Sequence, residues 1–230
     1  MGWFSKFLTS SLGQKVVMSL TGLFLIVFLV VHLAGNLQLL ADDGGRSFNE
    51  YAHFMTHSPL IKTISYLLYA FILLHAFQGW ALWRKNRLAR GAQPYAVHRL
   101  RAVNTNPRIA SRMGWIGTVI FVFILVHMYQ FWFKMKIGDI GVVRYDGQEV
   151  KDLYTLVATT YQNLGFVLFY VVSMVVIGAH LWHGFQSSFQ TLGINHSKYS
   201  PLIHFLGKLY AIVIPLGFAL IPIVFFVKHA

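Results

Sequence analysis

Val27-Phe28-Leu29-Val30-Val31-His32 and Val122-Phe123-Ile124-Leu125-Val126-His127 are near-copies of one hexapeptide, each placing an imidazole inside a long apolar run. A second matched pair lies between and beyond them. His75 and His180 are each followed four residues later by glycine, Gly79 and Gly184, and then by Trp80 or Phe185. The runs holding these histidines cover about 17–40, 60–83, 113–133 and 161–182, and a fifth run covers 208–227 without a deep histidine. Each run approaches or exceeds the ~20 residues that cross a hydrocarbon core of ~30 Å. The reading is therefore an all-α membrane protein, one integral domain over 1–230 with five transmembrane helices.

Composition agrees. The chain has 230 residues, 56% hydrophobic and only 11% charged, which excludes an ordinary soluble domain. The first run is too long for a signal-peptide core and lacks a small-residue cleavage site, so it is expected to stay in the mature chain. There is no cysteine. That removes disulfides, Cys-ligated iron–sulfur clusters, thioether-bound haem and thiol nucleophiles, and leaves histidine or methionine to hold any redox centre.

Charge sets the orientation. All seven acids, Asp42, Asp43, Glu50, Asp139, Asp146, Glu149 and Asp152, fall in the loops 41–59 and 134–160. The loop 84–112 carries Arg84, Lys85, Arg87, Arg90, Arg99, Arg101, Arg108 and Arg112 and no acid. The positive-inside rule puts that loop in the cytoplasm, with the N-terminus and the loop 183–207 on the same side. Two readings of the basic loop stand level: topology signalling with contact to anionic lipid, or a docking surface for an acidic subunit. No nucleic-acid partner is expected.

Between the runs, residues 1–16 open with Trp3-Phe4 and Phe7-Leu8 among Ser and Lys, as a short interfacial helix does. Asp42-Asp43-Gly44-Gly45 signals a turn, and the segment 48–57 fits a short helix stopping at Ser58-Pro59. Alternation around Asp146-Gly147 predicts a small hairpin. Pro215 and Pro222 predict a kink in the fifth helix, which reads as packing rather than chemistry. The likeness of helices one and three, and of two and four, suggests an internal duplication of helix pairs.

An ionisable group in the bilayer is costly and marks function by default. A lone intramembrane histidine is as well explained by a hydrogen bond to a neighbouring helix. Four at two matched depths favour ligation. At ~1.5 Å per residue, His32 and His127 lie roughly 24 and 21 Å beyond their cytoplasmic starts, in the outer half. His75 and His180, on helices running the other way, fall in the inner half. Bis-histidine haem needs two neutral imidazoles facing each other across a porphyrin. So His32 with His127 is expected to bind an outer haem b and His75 with His180 an inner one, four helices forming a bundle around two stacked haems with these histidines as axial iron ligands. Gly79 and Gly184 fit close approach by a porphyrin and equally fit small-residue helix packing. His183, three residues after His180, is expected near a haem propionate or a quinone rather than on iron. His53 and His57, with Glu50 and Tyr51, group at the outer mouth of the second helix, and a solvated loop is the favoured account of them. His98, His196, His204 and His229 read as interfacial.

Larger motifs now align. Ser11-Leu12-Gly13-Gln14-Lys15-Val16-Val17-Met18-Ser19-Leu20-Thr21-Gly22 leads to Val31-His32-Leu33-Ala34-Gly35-Asn36. Then come Phe48-Asn49-Glu50-Tyr51-Ala52-His53-Phe54 and His180-Leu181-Trp182-His183-Gly184-Phe185-Gln186-Ser187, with Leu192-Gly193 after it. Over nearly its whole length the chain resembles the di-haem cytochrome b anchor of bacterial succinate dehydrogenases and fumarate reductases. The resemblance implies five transmembrane helices in the bacterial inner membrane and two b haems on His32, His75, His127 and His180. It also implies a flavoprotein and an iron–sulfur subunit docked on the cytoplasmic face, and electron exchange with a quinone, usually menaquinone. A higher oligomer of the complex is compatible with it. No succinate chemistry would occur on this chain itself. An acidic residue near the distal haem serves the family's quinone site; Glu50 is the nearest match here. Two alternatives remain: the haem b anchor of a nitrate reductase or formate dehydrogenase, and a proton-coupled transporter using the histidines as a relay.

Overall fold

A computed structural model describes residues 2–91, 107–138 and 140–229. Expectations attached to His98, Arg99, Arg101 and Asp139 lie outside those residues. Of the described residues 84% are helical, and among them five helices are long and apolar enough to cross a membrane. It is a multi-pass membrane protein by that measure. Helices dominate because a segment in hydrocarbon must satisfy every backbone N–H and C=O within itself.

The order begins with α1 (Trp3–Thr9) and α2 (Ser11–Leu37), continued by a 3₁₀ turn over Gln38–Leu40. Ser10 separates the two helices and caps the second, its hydroxyl accepting from Gly13 N at 3.0 Å. Next come α3 (Arg46–His57) and α4 (Pro59–Arg90), which has proline at its first position. α5 (Pro107–His127) runs into a π-helical turn, Met128–Phe133, and closes with α6 (Lys134–Ile137). Strands β1 (Val142–Tyr145) and β2 (Gln148–Lys151) pair antiparallel, Tyr145 opposite Gln148. Their turn residues Asp146 and Gly147 both have positive φ, 47° and 85°, as a type I′ hairpin requires. α7 (Leu153–Tyr161), α8 (Leu164–Thr191) and α9 (Ser200–His229) complete the chain.

Several boundaries differ from the sequence reading. The fourth run starts at Leu164 rather than 161, because Asn163 caps α8 by accepting from Gly165 N at 2.9 Å and Phe166 N at 3.3 Å. The residues before it form the separate helix α7, started by Asp152, whose carboxylate accepts from Thr155 N. The other spans extend beyond their apolar cores. Helical hydrogen bonding continues into polar end residues that hydropathy alone assigns to loops.

Around a central cavity the helices stand in the order α2, α4, α5, α8, so α2 faces α5 and α4 faces α8 across it. α9 lies outside this ring against α8 and α2. Small residues let it come close. A Cβ on Gly178 would stand 3.0 Å from the Ala211 carbonyl oxygen, and one on Gly217 would strike Leu33. α9 runs unbroken through Pro215 and Pro222, the latter wholly buried.

At one end α3, the hairpin and α7 form a polar cap. Asn49, 1% exposed, ties it together. Its amide nitrogen donates to Asp152 Oδ1 at 3.1 Å and to the Tyr145 hydroxyl at 3.3 Å, while its oxygen accepts from Tyr154 N at 2.9 Å. Arg46 bridges Glu50 and Asp146 over the outside of the cap. Apolar side chains that do not line the cavity, such as Val30, Leu67, Leu125 and Val175, are exposed, as lipid-facing positions are.

Candidate functional site: two imidazole pairs in a common cavity

His75 lies 16 residues into α4 and His180 16 residues into α8, both counted from the capped end, or ~24 Å along each helix. His32 lies five residues before the end of α2, much nearer the cap, and His127 ends the α-helical part of α5. The structure brings these four rings together as two pairs. His32 and His127 have ring centres 5.9 Å apart at 84°, and His75 and His180 stand 6.2 Å apart at 70°. Each pair spans a diagonal of the helix ring.

Two imidazoles sharing one metal, with bonds of about 2 Å and ring centres roughly 1 Å behind the nitrogens, stand about 6 Å apart. An edge-to-face aromatic contact also allows that distance, so spacing alone does not decide. The cavity does. It measures about 2250 Å³, and all four histidines line it. Protein interiors pack to crystal-like density with few voids larger than water, and drug-sized ligands occupy about 300–1,000 Å³. A space of this size, walled mostly by apolar side chains, has room for two large flat ligands. Glycines keep it clear: Gly22, Gly79 and Gly184 all line it, and a Cβ on Gly184 would meet nothing within 4 Å. Among the described residues no three His, Asp or Glu side chains group as a site for a bare metal ion. Two ligands per pair suit a metal whose remaining positions are filled by a macrocycle.

The other ring nitrogens distinguish the four. Thr21 Oγ1 gives its hydrogen to the carbonyls of Val17 and Met18, at 2.8 and 3.1 Å, so it accepts from His75 Nδ1 at 3.1 Å. That leaves His75 Nε2 with a free lone pair, the tautomer a ligand requires. The Tyr170 hydroxyl donates to Gln130 Oε1 at 2.6 Å, and its oxygen stands 3.5 Å from His127 Nδ1. Beside His32 the neighbour is a donor. The Asn36 amide nitrogen bonds the His32 carbonyl at 2.7 Å and lies 3.3 Å from Nδ1. Among the described residues His180 Nδ1 is buried with no hydrogen-bond partner. The pairs, the cavity and the two oriented rings fit a bis-histidine haem at each level.

The remaining expected residues divide. His183 lines the same cavity, part-exposed, and among the described residues no second histidine ring stands against it. Glu50, His53 and His57 line a separate shallow hollow of about 600 Å³ on the cap, with Gln148. There His53 and His57 stack at 3.9 Å, His53 Nε2 lies 2.9 Å from Gln148 Nε2, and Glu50 is ion-paired with Arg46 at 2.9 Å. Tyr51 parts company with them. It faces the large cavity and packs so closely on Gly35 that any Cβ there would strike its ring. His196 is exposed beside Tyr199, and His204 is part-buried. Sequence alone gives no individual role to Thr21, Gln130, Tyr170 or Asn49. The signal available for Gln130 was a lone amide in an apolar run; hydroxyl residues in transmembrane helices carry no comparable mark.

On the polar cap, outside the spans, Asp43 accepts from Ser47 through both side chain and backbone, which holds its carboxyl below the ordinary value of 3.8. Burial raises the Tyr51 phenol above its ordinary value of 10.0.

Comparison with family models, with curated proteins and with solved structures finds no match to this chain.

Proposed function

We propose that the chain is the cytochrome b membrane anchor of a bacterial succinate:quinone oxidoreductase, set in the cytoplasmic membrane with its capped end outside. The observation that carries this reading is the pair of facing imidazoles at each of two levels of one cavity, 5.9 and 6.2 Å between ring centres. His32 with His127 and His75 with His180 would each hold one haem b. When bound, the haems supply one-electron centres linking a flavoprotein and iron–sulfur partner at the basic cytoplasmic face with a membrane quinone, menaquinone by resemblance. The chain's residues do the rest. The apolar walls would keep water from the four rings. Thr21 fixes the proton of His75 on Nδ1 and leaves Nε2 as the donor atom. Gly184 leaves open space where a side chain would stand, and Gly22 lies against the His75 ring, which a Cβ would crowd at 3.2 Å. The choice of the succinate enzyme among quinone-linked anchors rests on the segments around His32, Asn49 and His180.

The test is purification of the native complex, with a reduced-minus-oxidised spectrum, haem quantification and identification of partners. Two b haems per chain and a partner with covalent flavin are expected. A chain without b-type absorbance would sink the haem assignment. A molybdenum-bearing partner would instead assign the anchor to a nitrate or formate enzyme.

A further inference from the structure

We propose that Tyr170 is a positioning residue for His127, its hydroxyl oxygen accepting the Nδ1 proton while Gln130 holds the hydroxyl hydrogen away. The proposal rests on the haem reading above and concerns only the pair nearer the cap. Three observations carry it.

Gln130 and Tyr170 are each only 5% exposed, one on the π-helical turn after His127 and the other on α8. A buried amide in an apolar interior is costly unless bonded. Gln130 is bonded, and its partner is the Tyr170 hydroxyl at 2.6 Å. A hydroxyl has a single hydrogen, so committing it to Gln130 turns the oxygen lone pairs into the only function Tyr170 offers His127.

The backbone supports the arrangement. α5 leaves α-helical geometry at Met128, immediately after His127, and the wider turn buries Gln130 between exposed Tyr129 and Phe133. Single π turns gather at functional sites. Tyr170 is held in turn by the rings of Tyr161, Phe123 and Phe131, at 5.2, 5.2 and 6.1 Å. The oxygen stands 3.5 Å from Nδ1, the long limit of a hydrogen bond, and a ring movement of about 0.5 Å brings it to normal length.

An imidazole whose second nitrogen donates to a fixed acceptor is a more basic ligand and favours the oxidised metal. Tyr170 therefore lowers the reduction potential at the His32–His127 level and leaves the other level alone.

The experiment is a redox titration of the whole complex at the haem band, with low-spin ferric electron paramagnetic resonance, for wild type, Tyr170→Phe and Gln130→Leu. Tyr170→Phe should keep two haems and move one wave to higher potential, the wave missing in His127→Ala. Gln130→Leu should move the same wave less, because the oxygen remains but loses its fixed direction. Two unmoved waves, or movement of the other wave, overturn the proposal. Wild type lacking haem absorbance would overturn the haem reading and this inference with it, recognised by the absent spectrum rather than by unmoved waves. Should Tyr170→Phe fail to assemble, the shift in Gln130→Leu decides.

Discussion

The two imidazole pairs share one cavity and one spacing, yet differ in what surrounds them. Near the cap, His127 stands beside a buried tyrosine–glutamine pair and His32 beside the Asn36 amide. Deeper in, His75 donates to a threonine whose own hydrogen is spent on its helix backbone, and among the described residues His180 has no partner for Nδ1. Each pair thus has one ring oriented by an acceptor and one that is not. Ligation by both rings would fix the second through the metal. The deeper pair borrows its acceptor from within the helix wall, whereas the shallower one needs a π turn and a second helix to assemble it.

The largest effect that can break this comparison is loss of a ligand. Replacing His75 or His180 by alanine should remove one haem of two, and replacing His32 or His127 should remove the other; His183→Ala should keep both. Haem quantification on each purified complex checks it, and two haems retained in any of the four would refute that residue's assignment. Next, Gly184→Leu places a side chain where a Cβ now meets nothing. It should block the deeper haem alone, leaving a folded complex with one haem and the shallower spectrum.

Asn49→Ala acts from the cap. Removing the amide leaves the Tyr154 N–H without its acceptor and takes one of two donors from Asp152, which costs about 1–3 kcal/mol. For a chain of this size that is a fall in melting temperature of roughly 2–10 °C, and the shallower haem should bleach before the deeper one on heating. Thr21→Val removes the acceptor of His75. The deeper wave should rise by about 1 kcal/mol, or roughly 40 mV for one electron. A shift in the shallower wave would contradict the geometry.

The smallest effect concerns acid. The folded-state pKa of Asp43 lies below 3.8, so its stabilisation of the cap is fully present above that value and fades as pH falls through the depressed pKa. Protection of the Gly45 and Ser47 amides against hydrogen exchange, relative to their intrinsic rates, should fall below about pH 4 in wild type, and Asp43→Asn should flatten that dependence.

The helix count, the cap helix and the Asp-Gly hairpin were legible because lipid and turn chemistry write themselves into short windows of sequence. Hydropathy needs about 20 residues to declare a span, and Asp146-Gly147 declares a type I′ turn by itself. The helix α7 was not legible, since Leu153–Tyr161 is too short for a span and its start depends on the carboxylate of Asp152. Depth arithmetic grouped His32 with His127 and His75 with His180, and the structure brings the same rings together. Which nitrogen each ring offers was beyond reach, because Thr21, Tyr170 and Gln130 come from other helices or another turn. Glu50 was grouped with Tyr51 by adjacency, but neighbouring residues on a helix point about 100° apart. One therefore faces the cap surface and the other the cavity.

The diagonal arrangement has a mechanical consequence. α2 and α4 precede the segment 92–106, and α5 and α8 follow it, so each imidazole pair takes one ring from either side of that segment. Once both pairs are ligated, they act as two rivets through the chain's halves, independent of the peptide linking them. Residues 1–91 and 107–230, produced as separate polypeptides, should then associate when haem is supplied and drift apart when it is withheld.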